Sequence, residues 1–401
     1  MYQLIENGSV TSAKGFKAAG IFCGIKRKKK DLALIYSELP CTTAGTFTLN
    51  KVKAAPLLIS QEVIKKSEHT KAVLINSGNA NACTGDEGFN DALDMQKWCA
   101  EKLNIFTNEV LISSTGVIGQ KMPMEKIKSG IDEIVNQLSE QGGFSAAEAI
   151  MTTDTKIKSF AYEVKLKKSN VIIGGICKGS GMIMPNMATM LGFISTDAAV
   201  EKSLLSELLV NSVQKSFNKI SVDGETSTND MVVLLANGAS GVAIEKDTED
   251  MKIFQEALTS LCILMAKSIV SDGEGATKLV TVNVKNVKSQ VDADLIGKSI
   301  ANSSLVKTAI YGADANWGRI LSAAGQSGAD FEPSKVSILF NDLPVLLPNY
   351  SLVLDEEQAS KILSQSEFSI NIDINNGIEN STWWTCDLTE EYVRINADYR
   401  T

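Results

Sequence analysis

Residues 174–193 of the chain are GGICKGSGMIMPNMATMLGF. The run that enters this stretch, Val171–Ile176, is rich in β-branched side chains, which is typical of a strand. A polar, glycine-rich loop with one proline follows, from Lys178 to Asn186. The stretch therefore predicts a strand that ends in an irregular loop, and the surrounding sequence is interpreted outward from it.

Strands and helices alternate on both sides of this loop. Ala161–Leu166 alternates apolar and polar residues and is predicted to form a hairpin with Val171–Ile176. Ala92, Met95, Cys99 and Leu103 recur at helical spacing, and Asn90 is the predicted N-cap of their helix. Further predicted elements are helices over Glu201–Phe217 and about Met251–Ile269, and a strand over Met231–Ala236.

The interleaving of strands and helices predicts a mixed α/β (α+β) fold of stacked β-sheets flanked by helices. Beyond about residue 279 the pattern becomes strand-rich, as in Val280–Val284 and Ser369–Ile374. We therefore expect a C-terminal subdomain from about residue 280 to 401.

Composition excludes several functional classes. The 39 basic and 47 acidic side chains give a net charge of −8, which argues against nucleic-acid binding. No run of about 18 apolar residues predicts a membrane span, and no export signal is visible at the start of the sequence. The seven cysteines are scattered without a C-x-x-C pair, which favours reduced thiols and a cytoplasmic location.

A histidine-based site is also disfavoured. His69 is the single histidine, so one chain cannot build a His₂ or His₃ metal site, and no metal is expected. It lies in the polar stretch Ser67–Thr70, where a surface position is the expected one rather than a place in a Ser-His-Asp triad. Any catalytic base must come from another group.

Two nucleotide-binding motifs fail on inspection. Gly297-Lys298-Ser299 resembles the end of a P-loop, but the glycine required five positions earlier is Asp292. Gly179-Ser180-Gly181 begins a dinucleotide fingerprint, but its sixth position is Met184. No cofactor is therefore expected.

The stretch at residues 174–193 resembles the ornithine acetyltransferase family, whose members are enzymes of arginine biosynthesis. Eight further family-like stretches occur in order along the chain: Phe47–Pro56, Asn76–Gly85, Ser114–Gly116, Met151–Thr155, Ser221–Asp230, Ser271–Lys278, Tyr311–Arg319 and Ile395–Thr401. One departure is minor, since a proline is more usual within Thr11–Phe16. The resemblance covers essentially the whole chain.

The resemblance implies an αββα sandwich like that of N-terminal-nucleophile enzymes, and a chain that cuts itself between Ala188 and Thr189. The products are an alpha chain of residues 1–188 and a beta chain of residues 189–401. Two copies of each chain form the usual assembly of the family. The new N-terminal Thr189 is the nucleophile, and its free α-amine, with a reference pKa near 8, serves as the base that histidine cannot supply.

The resemblance also assigns the other site residues. The Thr115 hydroxyl and the Gly116 backbone N–H form the oxyanion hole. The substrate-binding residues are Thr152, Lys178, Thr189, Glu274, Asn396 and Thr401. Of the pair Thr152 and Thr153, we favour Thr152 because its distance along the chain to Lys178 suits the family better. Lys178 is suited to a substrate carboxylate and Glu274 to a substrate ammonium.

The implied activity is acetyl transfer from N2-acetylornithine to glutamate through an acetyl-Thr189 ester, which yields ornithine and N-acetylglutamate. Some family members also take acetyl from acetyl-CoA, and no residue of this sequence decides that question. The alternative function is an N-terminal-nucleophile amidase or aminopeptidase of related fold, which would pass the acyl group to water.

Overall fold

The computed structural model describes residues 1–184 and 190–398, and it is built from strands and helices in alternation. The strands are β1 Tyr2–Leu4, β2 Phe16–Ile21, β3 Leu32–Phe47, β4 Thr70–Asn79, β5 Val110–Val117, β6 Lys158–Lys165, β7 Asn170–Lys178, β8 Leu191–Thr196, β9 Ala199–Val200, β10 Ile220–Ser221, β11 Met231–Ala236, β12 Ala243–Ile244, β13 Leu279–Val287, β14 Ser337–Phe340, β15 Leu343–Leu347, β16 Ser351–Leu352, β17 Glu367–Asp373 and β18 Glu379–Cys386. The α-helices are α1 Ala55–Lys66, α2 Gly85–Leu103, α3 Met124–Ile134, α4 Gly143–Ala149, α5 Lys202–Gln214, α6 Glu249–Ser271, α7 Gln290–Asn302, α8 Ser304–Tyr311, α9 Trp317–Gly325, α10 Glu356–Leu363 and α11 Glu390–Ala397. The mixed α/β class predicted from the sequence is confirmed.

The chain divides into two compact units. The first comprises Met1–Asn218 and Glu225–Ile269, and the second comprises Lys219–Gly224 and Val270–Thr401.

Strand β3 organises the first unit because it belongs to two sheets. Its first half pairs with β2 and β4, and its second half pairs with β11. The full strand order is β1-β6-β7-β8-β11-β3-β4-β5, with β2 on the other side of β3. The pairing with β4 shifts register between Tyr36 and Cys41, and Pro40, which has no N–H to donate, lies in that break.

The two halves of β3 serve two sheets that share one buried interior. Alternate residues of β3 and β4, such as Ala33 and Val73, join one core cluster with Phe193 of β8 and Val233 of β11. Because successive side chains of a strand point to opposite faces, the intervening residues pack elsewhere. Leu34 and its neighbours form a second cluster with residues of α2 and α3.

Helix α6 covers β7, and α5 lies beside α6 and packs against β3. A Cβ placed on Gly175 of β7 would lie 3.1 Å from the sulfur of Met265 in α6, so that helix packs directly on the sheet. The amide of Gln255 in α6 donates to the carbonyl of Leu208 in α5 at 3.2 Å. With α2 and α3 on the far side, the first unit has the expected αββα layering.

Helix α6 is, among the described residues, the one helix long and apolar enough to cross a membrane by length and composition. Half of its most apolar 18-residue window is buried inside the protein. Phe254, Leu258 and Met265 are fully buried, which is the pattern of a core helix packed on a sheet.

Most predicted elements near the site occur where the sequence places them. The β6–β7 hairpin is antiparallel, with Tyr162 opposite Ile173, and β11 spans the predicted residues. The predicted N-cap at Asn90 is wrong, because α2 begins at Gly85. The first turn is polar and carries Asp86 and Glu87, which suit a helix N-terminus but precede the apolar repeat that located the helix.

The second unit is built around a sheet of order β10-β18-β13-β17-β14-β15-β16. Helices α7 and α9 contribute to its core, where Ile296 and Ile320 join Val282 and Ile370 of the sheet. One segment distant in sequence completes it: β10 at Ile220–Ser221 pairs in parallel with β18.

Candidate active site

Thr115 and Gly116 lie at the carboxyl end of β5, where the parallel pairing with β4 becomes irregular. Thr115 is buried, and Gly116 has φ +131° and lies opposite Gly78. A Cβ on Gly116 would lie 2.3 Å from the carbonyl carbon of Gly78 and 2.5 Å from the nitrogen of Asn79. Any residue other than glycine would therefore collide with backbone here, and the close approach leaves a strand end free of side-chain bulk.

Asn229 holds this strand end from the side. Its Nδ2 donates to the carbonyl of Ser114 at 2.8 Å and to the carbonyl of Ala80 at 2.6 Å. The Thr228 hydroxyl donates to its Oδ1 at 2.5 Å. Because Asn229 is buried and directly precedes Asp230 and β11, it fixes the residue before Thr115 to the neighbouring strand end.

Lys178 is the last residue of β7, which extends two residues beyond the predicted strand end at Ile176. Its side chain is buried, with 8% relative exposure. Within residues 1–184 and 190–398 no acceptor bonds its ammonium. A buried cation without a protein acceptor is costly, so this position favours binding of an anionic ligand group.

Asp154 connects Gly179, the residue after Lys178, to Thr152. One carboxylate oxygen, Oδ1, accepts from the backbone N–H of Gly179 at 2.7 Å and from the Lys158 ammonium at 2.8 Å. The other, Oδ2, accepts from the N–H of Thr152 at 3.0 Å. Burial opposes ionisation of Asp154, but the charges of Lys178 and Lys158 and these hydrogen bonds outweigh it and hold its pKa well below the usual range.

Lys26 reaches the same loop from the other side. Its ammonium donates to the carbonyl of Met151 at 2.6 Å and to that of Lys30 at 2.8 Å. Burial lowers the pKa of Lys26 to about 8, opposed by the nearby Asp31 carboxylate. A Cβ on Gly78 would lie 2.9 Å from Cγ of Lys26, so its stem packs on the strand end that faces Gly116.

Asp230 is a buried carboxyl group in this neighbourhood. Burial raises its pKa well above the usual value, against hydrogen bonding from Ser227 and the charge of Lys178. Among the described residues, its Oδ2 has no hydrogen-bond partner. The N–H of Met231, the next residue, donates to the carbonyl of Met190 at 3.0 Å.

Other candidate reactive groups are poorly suited to catalysis. Burial raises the pKa of the Cys177 thiol, next to Lys178, to about 12, so it is not a nucleophile at neutral pH. His69 is exposed and lies just before β4, as the sequence predicted.

Glu274 and Asn396 belong to the second unit and lie together there. The Asn396 amide donates to Oε2 of Glu274 at 2.8 Å and to the carbonyl of Tyr392 at 3.0 Å. Glu274 is buried, whereas Asn396 is exposed on α11. This hydrogen bond leaves the second carboxylate oxygen of Glu274 to other partners.

Three of the predicted site residues, Ala188, Thr189 and Thr401, lie outside the described residues. The sequence motifs contained Asp154 and Asn229 but assigned them no role, and Lys26, which precedes the basic run Arg27–Lys30 that the sequence predicts to be solvated, was not singled out. The available signal was the spacing of Asp154 and Lys158, an acid and a base four residues apart at the start of a strand.

The chain is similar to proteins of known class over nearly its whole length. Residues 17–401 match the model of the ArgJ family. The arginine biosynthesis bifunctional protein ArgJ of Thermotoga neapolitana is 50% identical over 97% of this chain and 99% of its own. Its namesake from Caldanaerobacter subterraneus is 48% identical over 99% of this chain and 100% of its own.

Solved structures match part of the chain. The crystal structure of ArgJ from Bacillus halodurans is 46% identical and covers 47% of this chain and 98% of its own, with a TM-score of 0.45. Ornithine acetyltransferase from Mycobacterium tuberculosis, complexed with ornithine, is 38% identical and covers 47% of this chain and 100% of its own, with a TM-score of 0.44. On the match to the family model and to full-length relatives, this chain belongs to the ArgJ family.

Proposed function

We propose that this chain is a glutamate N-acetyltransferase of arginine biosynthesis, which moves acetyl from N2-acetylornithine to glutamate. The observation that carries the proposal is identity near one half, over essentially the whole chain, to proteins named for arginine biosynthesis. The site supports it: a strand end shaped by Gly116 adjoins a loop network that ends in the buried ammonium of Lys178, which no acceptor bonds within the part of the chain that the structure describes.

The chemistry begins with self-cleavage between Ala188 and Thr189. Cleavage converts the Thr189 nitrogen from an amide into an α-amine, whose ordinary pKa is near 8. A substantial unprotonated fraction at neutral pH then accepts the proton of the Thr189 hydroxyl. No cofactor is required, because the base is produced from the backbone.

Transfer then proceeds in two half-reactions. The Thr189 oxygen attacks the acetyl carbonyl, the C–N bond breaks, and ornithine leaves with the proton. Glutamate nitrogen next attacks the ester, and N-acetylglutamate leaves as the Thr189 hydroxyl is restored. The Thr115 hydroxyl and Gly116 N–H stabilise each oxyanion, where loss of one donor typically costs about 3 kcal/mol.

Substrate charges assign the binding residues. Lys178 binds a carboxylate, Glu274 with Asn396 binds an ammonium, and Thr152, Thr189 and Thr401 complete the contacts. Acetyl-CoA is an alternative donor for the same ester, which an assay with acetyl-CoA and glutamate alone decides. We further propose that the enzyme is cytoplasmic and contains two alpha and two beta chains. Light scattering tests this composition by measuring the mass of the assembly.

The test compares wild type with Thr189→Ala. Denaturing electrophoresis of wild type should give fragments of 188 and 213 residues, and kinetics should be ping-pong. Thr189→Ala should remain uncut and inactive. Thr196→Ala, the same change at the far end of β8, is the matched control and should be cut and active.

Two outcomes contradict the proposal. Active wild type that contains only the unbroken 401-residue chain removes Thr189 as nucleophile. Release of acetate in place of N-acetylglutamate indicates the amidase alternative. That alternative is not favoured, because the full-length relatives are named for arginine biosynthesis.

A further inference from the structure

The peptide group between Met151 and Thr152, which lies between α4 and β6, is held at both of its polar atoms by charged side chains. Lys26 donates to its carbonyl oxygen at 2.6 Å, and Asp154 accepts from its N–H at 3.0 Å. A peptide plane fixed at both ends cannot rotate. The orientation of Thr152 is thereby set by two charged side chains rather than by a regular element.

The same carboxylate also holds the other predicted binding segment. Oδ1 of Asp154 accepts from the N–H of Gly179, the residue that follows Lys178, at 2.7 Å. One rigid group of three atoms therefore spaces the backbone of Thr152 from the backbone beside Lys178. Asp154 is 1% exposed, so water does not compete for these bonds.

The charges explain why Asp154 leaves Lys178 available. Lys158 is 1% exposed and makes the direct ion pair with Asp154, which neutralises the carboxylate. Lys178 lies within the field of Asp154 but makes no hydrogen bond to it in the described residues. Its ammonium thus remains available to a ligand while its backbone is fixed.

We propose that Asp154 is a positioning residue for substrate binding, which sets the spacing between Thr152 and Lys178. The inference rests on the proposed function, in which those two residues contact the substrate. Asp154 itself does not touch the substrate and acts only through the two segments.

Asp154→Asn is the informative change because it keeps the shape and removes one acceptor. Asparagine has a single carbonyl oxygen, so either Thr152 or Gly179 must turn its N–H toward an NH₂ group. We expect the KM for N2-acetylornithine to rise about tenfold or more, with a smaller change in kcat, since substrate contacts rather than reacting atoms are displaced.

A double-mutant cycle separates positioning from a general structural role. If Asp154 acts through Thr152, the KM of Thr152→Ala/Asp154→Asn should be close to that of the worse single variant. Asp197→Asn is the matched control. Asp197 is buried and accepts from the backbone N–H of Ile172 and of Lys14 at the opposite end of β7. Asp197→Asn should change KM little, and in the double variant Thr152→Ala/Asp197→Asn the two changes in KM should multiply.

If Asp154→Asn alone does not accumulate, Asp154→Asn/Lys158→Met replaces it in the cycle, since it also removes the buried Lys158 charge that paired with the Asp154 carboxylate. A wild-type KM in the Asp154 variant, or KM effects that multiply with those of Thr152→Ala, overturns the inference. Failure of the proposed function is distinct, because wild type itself would then form no N-acetylglutamate.

Discussion

Asn229 and Asn237 flank strand β11 and offer a matched pair of substitutions. Nδ2 of Asn229 donates to the carbonyls of Ala80 and Ser114 at 2.6 and 2.8 Å. Nδ2 of Asn237 donates to the carbonyl of Lys14 at 2.9 Å and to the Ser37 hydroxyl at 3.2 Å. Replacing either by aspartate keeps the shape and removes both donors.

The expected costs differ because the acceptors differ. Asn229→Asp leaves two buried carbonyls without a donor, at about 1–3 kcal/mol each, which sums to about 2–6 kcal/mol. In Asn237→Asp the Ser37 hydroxyl can turn and donate to the new carboxylate, so only the Lys14 carbonyl is left without a donor. We therefore expect a loss of about 1–3 kcal/mol in the free energy of unfolding. Protonation of the new carboxyl in Asn229→Asp restores one donor, so its loss should be smaller at pH 5 than at pH 8.

The activities should separate further than the stabilities. The Ser114 carbonyl directly precedes the proposed oxyanion-hole residues, so its displacement in Asn229→Asp should lower kcat about 10- to 1,000-fold. Asn237→Asp should leave kcat near wild type. The assays are urea unfolding and steady-state transfer from N2-acetylornithine to glutamate. A wild-type kcat in Asn229→Asp, with the stability loss confirmed, would refute the assignment of the strand end to catalysis.

Three further perturbations follow from single positions. Gly116→Ala should lower the urea midpoint more than Gly119→Ala, because both have positive φ but only the first would collide with backbone, in Gly78; equal losses would contradict this. Burial lowers the pKa of Lys26 to about 8, so the unfolded chain binds more protons than the folded chain between about pH 8 and 10.4. The free energy of unfolding should therefore rise across that range, and Lys26→Met should abolish the rise when it is measured by urea unfolding at each pH. Burial raises the pKa of Asp230, so the folded chain keeps this proton at pH values where the unfolded chain, with a reference pKa of about 3.9, has lost it, and stability falls as pH rises above about 4. Asp230→Asn should therefore gain stability relative to wild type as pH rises above about 4, and a constant difference would mean that the folded state does not keep this proton.

The sequence predicted those parts of the fold that show in local periodicity. The β6–β7 hairpin and β11 are where the alternating and apolar runs place them, because each is a short element whose pattern is visible in its own residues. Strand β3 was not predicted. Its 16 residues contain a proline and change sheet partway along, and no local pattern reports which distant strands a segment will join.

Some residues of the candidate site were predicted from the sequence and others were not. Lys178 and Gly116 were identified as motif positions, and the structure supplies reasons for both residue types: a buried ammonium and a close backbone approach. Lys26 and Asp154 act on one peptide from 125 and 2 residues away, and the contact at 125 residues exists only once the fold is formed. Charged side chains near the start of a strand are usually exposed to solvent. Sequence alone therefore predicts an exposed position for Asp154, whereas the structure buries it.

The strand order has a consequence for the proposed scission after residue 188. Strands β8 and β11, which follow residue 188, lie between β7 and β3, which precede it. Six residue pairs join β8 to β7, and six join β11 to β3. If the chain is cut there, two strands of the later piece are enclosed between strands of the earlier piece, and the pieces separate only when both sets of strand pairings break. We therefore expect the two pieces to stay associated after cleavage in the folded state.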